Sequence, residues 1–293
     1  MGDFQGEQTR VLENEHVKLE YLENSARIVR LYPHDKENIF AEMEQKPVTT
    51  AYGDFYFRGG HRLWHAPENM PRTYMPDNEG GMVGDIPNGV RIEMPPEPWT
   101  HIVKAIEIEL NPEQPQVILR HELRNEGPWE VEFAPWALTM FKQGGVGIFP
   151  QPVGNVDEAG LLANRRMSVW PYTQMQDTRL SLRDDFLLVH ATPSLPPLKF
   201  GYFNPHGWMG YWIDGVLFVK RFDAQDTASY PDNGCNVESY CNHKFIELES
   251  LGELVQVAPG QTVFHNELWE LHGTLDVPFI PADIQHLITE TMH

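Results

Sequence analysis

The chain has 293 residues, 41% of them hydrophobic and 22% charged, which is ordinary for a globular protein large enough to bury a core. Acidic residues outnumber basic ones 42 to 22, a formal net charge of −20, and this argues against a nucleic-acid partner or an anionic membrane surface, since both need a basic footprint. No apolar run approaches the roughly 18 residues of a membrane span, and the polar start MGDFQGEQTRVLENEH lacks the apolar centre of a signal peptide, so a soluble, cytoplasmic protein is expected.

In chain order the pattern is one of strands. Val17, Leu19 and Tyr21 alternate with Lys18 and Glu20, a period of two, and residues 26–31 return after a Glu-Asn-Ser turn as the second arm of a hairpin. Residues 48–58 predict another strand, ending at Gly59-Gly60. From there to Asn78 the chain offers His61, Arg62, Trp64, His65, Glu68, Arg72, Tyr74 and Asp77. Pro67, Pro71 and Pro76 forbid a continuous helix, so this stretch reads as a stiffened loop forming a binding rim.

Strands are predicted at 89–94, 102–110, 116–125 and 129–141, the last with Pro135 at a bulge or edge. Short strands follow at 167–169, 186–191, 199–203, 208–213 and 216–222, with Asp214-Gly215 as a hairpin turn between the last two. Strands at 244–251 and 263–271 flank the turn Ala258-Pro259-Gly260-Gln261. The best helical period is at 281–292. Many short strands with hardly a helix, and no linker or repeat, predict one all-β domain over 1–293.

Several side chains stand out chemically. Alternation puts Glu247 and Glu249 on the face carrying Phe245, with Ile246, Leu248 and Ser250 opposite. A buried carboxylate needs a partner or a ligand, and either a substrate or an ion pair with Arg62 would serve. Arg58, Arg62 and Arg72 form a local basic cluster whose forked donors suit vicinal hydroxyls, a carboxylate or a phosphate; the charge of an anionic substrate would sit there. The tryptophans at 64, 136, 170, 208 and 212 lie beside Gly, Pro or His turns, and His206 sits among aromatic and turn residues in FNPHGWMGYW. His61, His65 and Glu68 are chemically acceptable metal ligands, but Gly59-Gly60 and Pro67 oppose the helix that would align the two histidines. No metal is expected. Cys235 and Cys241 are the two cysteines, read as reduced thiols in a cytosolic chain.

Three stretches together resemble the galactose mutarotase-like superfamily, the aldose 1-epimerase type of β-supersandwich. They are VKLEYLENSARIVRLYPHDKENIFAE, Phe57-Arg58-Gly59-Gly60-His61-Arg62-Leu63-Trp64, and Phe245-Ile246-Glu247-Leu248-Glu249-Ser250-Leu251-Gly252 with the later Ala258-Pro259-Gly260-Gln261. The resemblance implies a large antiparallel supersandwich with few short helices and a site for a small sugar, an anionic one among the candidates. It implies no cofactor. In that family a glutamate takes the proton from the anomeric hydroxyl while a histidine protonates the ring oxygen. Carried over, Glu249 or Glu247 is the base and Arg62 lies beside the sugar. The family's histidine has no counterpart in 131–139, where Trp136 would instead stack on a sugar face. His206 or His61 is the substitute acid, and Arg58, Trp64, His65, Arg72, Trp208 and His243 complete the expected binding set. The alternative implied by the absent histidine is a carbohydrate-binding protein without catalysis.

Overall fold

The computed structural model describes residues 2–151, 157, 159–193 and 196–273. The helical period at 281–292 lies outside them. Two large antiparallel sheets dominate. The eleven-stranded sheet runs in the order Gly2–Phe4, Glu7–Glu13, Val17–Leu22, Arg27–Pro33, Gly60–Ala66, Val131–Lys142, Phe245–Leu251, Val237–Cys241, Leu198–Tyr202 and Ser168–Val169, with Val255–Val257 added beside Val131–Lys142. The ten-stranded sheet runs Leu180–Leu182, Phe186–His190, Val146–Pro150, Trp208–Ile213, Val216–Phe222, Thr262–His272, Gln116–Asn125, Ile102–Leu110, Gly89–Glu93 and Met82–Ile86. Face to face they enclose one main core, in which Ile28, Phe141, Phe200, Ile246 and Leu248 of the first meet Ile108, Leu119, Phe149, Phe218 and Trp269 of the second. Among the described residues, helical structure is limited to the turns Arg72–Tyr74 and Pro231–Gly234, and no helix is long and apolar enough to cross a membrane.

The period-two segments become strands for the expected reason: one face of each meets the core. Ile102–Leu110 pairs with Gln116–Asn125 from Ile102 opposite Asn125 to Leu110 opposite Val117. At Asp214-Gly215 both residues have positive φ, 51° and 76°, the backbone of a type I′ hairpin turn.

Three segments differ from the sequence expectation. Residues 48–58 are not one strand but a hairpin, Pro47–Thr50 against Gly53–Tyr56. The stretch after Gly59-Gly60 begins not as a loop but as the strand Gly60–Ala66, buried at every residue. Polar side chains that face a polar site on one side and a buried network on the other conceal its strand character. Gly60 starts it because its backbone crosses Ile28 so closely that a Cβ would lie 2.0 Å from the Ile28 carbonyl oxygen, at φ +61°. Pro135 is at no edge; it lies inside Val131–Lys142, opposite His65. Its carbonyl accepts from Gly252 N, so its nitrogen faces that same side, where the partner changes from Phe245–Leu251 to Val255–Val257. The missing N–H falls in the gap between two partners. Both cysteines are free and buried.

Candidate functional site

Register builds the site. Arg62, Leu138, Glu249 and Glu238 are consecutive partners in one row across the eleven-stranded sheet. The neighbouring rows bring Trp64 beside Trp136 and Met140, Glu247, Tyr240 and Lys199 into line. All project from the face turned away from the main core. Over them lies a cleft of about 550 Å³, with Arg62 and Glu247 on its floor and Trp64, Trp136, Trp170, Tyr172 and Tyr240 among its walls. An adjoining hollow of about 320 Å³ shares Glu68, Tyr74, Trp136, Trp170 and Lys199.

Arg62 Nη2 donates to Glu247 Oε1 at 2.8 Å, and its guanidinium lies over the Trp64 ring at 4.2 Å from the centroid. The plane of the arginine is therefore fixed by stacking as well as by charge. Beside this pair Lys199 Nζ reaches Glu238 Oε2 at 2.7 Å and Glu249 Oε2 at 3.0 Å. The rings of Trp136 and Trp170 each lie 4.7 Å from the same ammonium, and Trp136 Nε1 donates to Glu249 Oε2 at 2.9 Å. Burial, with Glu247 nearby, outweighs Lys199 and raises the Glu249 carboxyl to about 7. Burial also pushes Glu238 well above the ordinary carboxylate range. For Lys199, burial alone would favour the neutral amine, but Glu249 and Glu238 prevail and keep it firmly protonated. Two carboxyls thus share one ammonium, and burial favours the protonated form of each.

Several buried polar atoms in this cluster have no hydrogen-bond partner among the described residues: Arg62 Nε and Nη1, Trp64 Nε1, Glu238 Oε1 and Glu249 Oε1. Buried polar groups are normally satisfied, so the free donors of Arg62 and Trp64, which line the cleft, are suited to a polar ligand or to water.

Of the residues singled out by sequence, the structure brings Arg62, Trp64, Glu68, Tyr74, Trp136, Trp170, His243 and Glu247 to the cleft, with Glu249 behind it, against Trp136 and Lys199. The others lie elsewhere. His61 is on the opposite face of its strand, where Nε2 meets His121 Nε2 at 2.8 Å and Nδ1 meets Thr139 at 2.9 Å. Burial holds it neutral, far below the usual imidazole range. His206 is exposed, its Nε2 against the Gln151 carbonyl at 3.0 Å. Trp208 packs with Val146, Ile148 and Leu217 of the ten-stranded sheet. Arg58 is occupied by Glu7, at 2.9 Å, and by Asn78. His65 and Arg72 line a different pocket altogether. Of the proposed metal set His61, His65 and Glu68, only Glu68 lines the cleft, so the three do not meet there.

Sequence reasoning missed Lys199 and Glu238 as site residues. The signal was a lysine within an otherwise apolar short strand and a glutamate between Val237 and Ser239, both charges with nowhere to go except a buried pair. The described residues do hold one cluster of potential ligand atoms, His61, His121 and Glu267, within 4.8 Å of one another. The Lys220 ammonium already occupies its carboxylate at 2.9 Å.

This architecture, two large antiparallel sheets with a polar, aromatic cleft on the outer face of one, defines the class of fold. Among solved structures the chain is similar to a galactose mutarotase-like protein from Lactobacillus casei, with TM-score 0.59 and 12% identity over 90% of this chain and 100% of that one. It is similar also to a galactose mutarotase-like protein from Clostridium acetobutylicum, with TM-score 0.56 and 7% identity over 93% and 97%. A TPR-domain containing protein from Parabacteroides distasonis gives TM-score 0.63 and 12% identity over 93% of this chain. The present chain spans about half, 49%, of that longer one. No family model matches the sequence, and no curated protein does. The chain has the galactose mutarotase-like fold, as its three sequence stretches implied.

Proposed function

We propose that the cleft binds a small neutral sugar. The observation that carries this reading is the coincidence of unsatisfied buried donors with aromatic walls: Arg62, with Nε and Nη1 unpaired, and Trp64, with Nε1 unpaired, line the same cleft as Trp136 and Trp170. A pyranose presents hydroxyls at its edge and C–H groups on its faces, so the polar atoms take the edge and the rings take a face. Names of the similar structures support the same class of ligand. A neutral sugar is favoured over an anionic one because the two buried cations, Arg62 and Lys199, already face Glu247, Glu238 and Glu249. Calorimetric titration with neutral aldoses and with their uronic acid counterparts tests this. Binding of a neutral aldose with the uronate weaker is expected; binding of uronates alone would overturn it.

A second reading, interconversion of sugar anomers, is favoured by one observation. Glu249 is held at about 7 in contact with Lys199, the range in which a carboxyl both gives and takes a proton at neutral pH. Saturation transfer between the anomers of whichever sugar binds decides it, since exchange rates unaltered by the protein leave binding alone.

A further inference from the structure

The second pocket, of about 390 Å³, shares no lining residue with the sugar cleft. It opens at one end of the sandwich, with Ile102 and Phe133 at its apolar wall and Trp99 and Trp129 at its mouth. Trp129 is 76% exposed and Trp99 45%. Two indoles left this open on a protein that buries most of its large rings call for an explanation. Tyr52 stacks on Trp99 at 5.1 Å and 13°, which covers one face of that indole.

The pocket also holds an unsatisfied buried acceptor. His65 lines it and is 1% exposed. Its Nε2 lies 3.1 Å from Glu97 Oε2. Lys104 is 2.6 Å from the same carboxyl group. Although burial alone would raise Glu97, Lys104 and His65 bring it down to about 2, so it stays ionised and only accepts. The proton of a neutral His65 is therefore on Nε2, and burial keeps the ring neutral. Nδ1 is left as a lone pair without a partner.

Other polar groups around the pocket are already used. The Asn125 amide donates to the carbonyls of Trp129 and Val257 and accepts from Gly127 N. The Thr100 hydroxyl donates to Glu97, Arg72 donates to the Pro67 carbonyl, and His101 and Glu132 are exposed. What remains in the interior is an apolar, ring-lined space with a single vacant acceptor. A sugar would carry several hydroxyls into it without partners, at a cost for each. One planar ring with one donor matches it.

We propose that this pocket binds a small phenol-type aromatic molecule, its ring against Trp99 and Trp129 and its O–H donated to His65 Nδ1. The test uses the full chain with 4-methylphenol and its O-methyl ether, 4-methylanisole, followed by calorimetry and tryptophan emission. Binding of the phenol about tenfold or more tighter than the ether is expected, because the ether leaves the buried acceptor unpaired. Trp129→Ala, a change at an exposed side chain, is expected to weaken phenol binding by a similar factor while leaving sugar binding at the other cleft unchanged. Equal affinity for phenol and ether overturns the proposal, as does no phenol binding at millimolar concentration. Undiminished binding by the Trp129→Ala protein, or displacement of the phenol by a methyl glucoside, overturns it equally.

Discussion

Arg62 and Glu247, 185 positions apart in the chain, meet at 2.8 Å on the floor of the cleft. The contact joins the first quarter of the sequence to the last through the single intervening strand Val131–Lys142. Both partners are almost fully buried, so neither charge has water as a substitute.

Removing one partner is therefore far worse than removing both. Arg62→Met is expected to destabilise the fold by about 3–5 kcal/mol, because Glu247 is left buried without its cation. Arg62→Met with Glu247→Met is expected to recover most of that loss, since an apolar pair of similar volume avoids the desolvation of both charges. Urea denaturation of the two variants checks this. A double variant as unstable as the single one would show that the pair's own attraction is dominant.

Glu249 gives a signed pH dependence. Its carboxyl sits at about 7 in the fold, against an ordinary value of about 4.3. The folded protein thus binds this proton more tightly than the unfolded chain does. The resulting stability is fully present below about pH 4.3 and is lost as pH rises to about 7, with a slope of at most about 1.4 kcal/mol per pH unit. The buried neutral histidines His61, His121 and His265, all lowered by burial, act in the opposite sense, losing their contribution as pH falls below the usual imidazole value. The difference between wild type and Glu249→Gln isolates the carboxyl. The glutamine variant is expected to gain on wild type between pH 4.5 and 7, and a constant difference across that window would contradict the assignment.

Gly60 is required by contact as well as by conformation. Its φ is +61°, and an added Cβ would meet the Ile28 carbonyl oxygen at 2.0 Å and Ile28 C at 3.0 Å. The atoms it would meet are all backbone of Ile28 and Val29, so no flexible side chain can yield. Gly60→Ala is expected to destabilise by roughly 3 kcal/mol or more, through the strained φ and the forced separation of Arg27–Pro33 from Gly60–Ala66. A shift below about 0.5 kcal/mol in urea would show that the two strands part easily.

Hydrogen bonding fixes the tautomers of the interior histidines. His121 Nδ1 faces the His265 carbonyl at 2.9 Å, which only accepts, so the proton is there and Nε2 is bare. His61 must then donate from Nε2 to His121 and accept on Nδ1 from Thr139. Imidazole nitrogen shifts in ¹⁵N NMR are expected to show His121 protonated on Nδ1 and His61 on Nε2. The reverse assignment for either ring would break the chain of bonds.

Where a strand buries one face, the sequence announced it: Ile102–Leu110 and Gln116–Asn125 have the bounds that alternation indicates. The same alternation placed Glu247 and Glu249 on one face and Ile246 and Leu248 on the other, and the latter two lie in the main core. It was less informative for Gly60–Ala66, where both faces are buried and polar residues occur on each, so period two carries no contrast. His61 and His65 differ from Arg62 and Trp64 only in parity. Once the segment is a strand rather than a loop, that parity sends the histidines to the inner side and the arginine to the cleft. Lys199 and Glu238 each carry a signal of burial in the sequence, but that they pair does not show there, because it depends on the register of Leu198–Tyr202 with Val237–Cys241.

The most direct test of the sugar site is saturation-transfer difference NMR on a panel of neutral hexopyranoses. Wild-type protein is expected to transfer saturation to the C–H protons on one face of the bound sugar, and Trp170→Ala, which removes a cleft ring at a partly exposed position, to reduce that transfer. No transfer to any neutral pyranose from the folded wild-type protein, or transfer undiminished by Trp170→Ala, would contradict the assignment of the cleft.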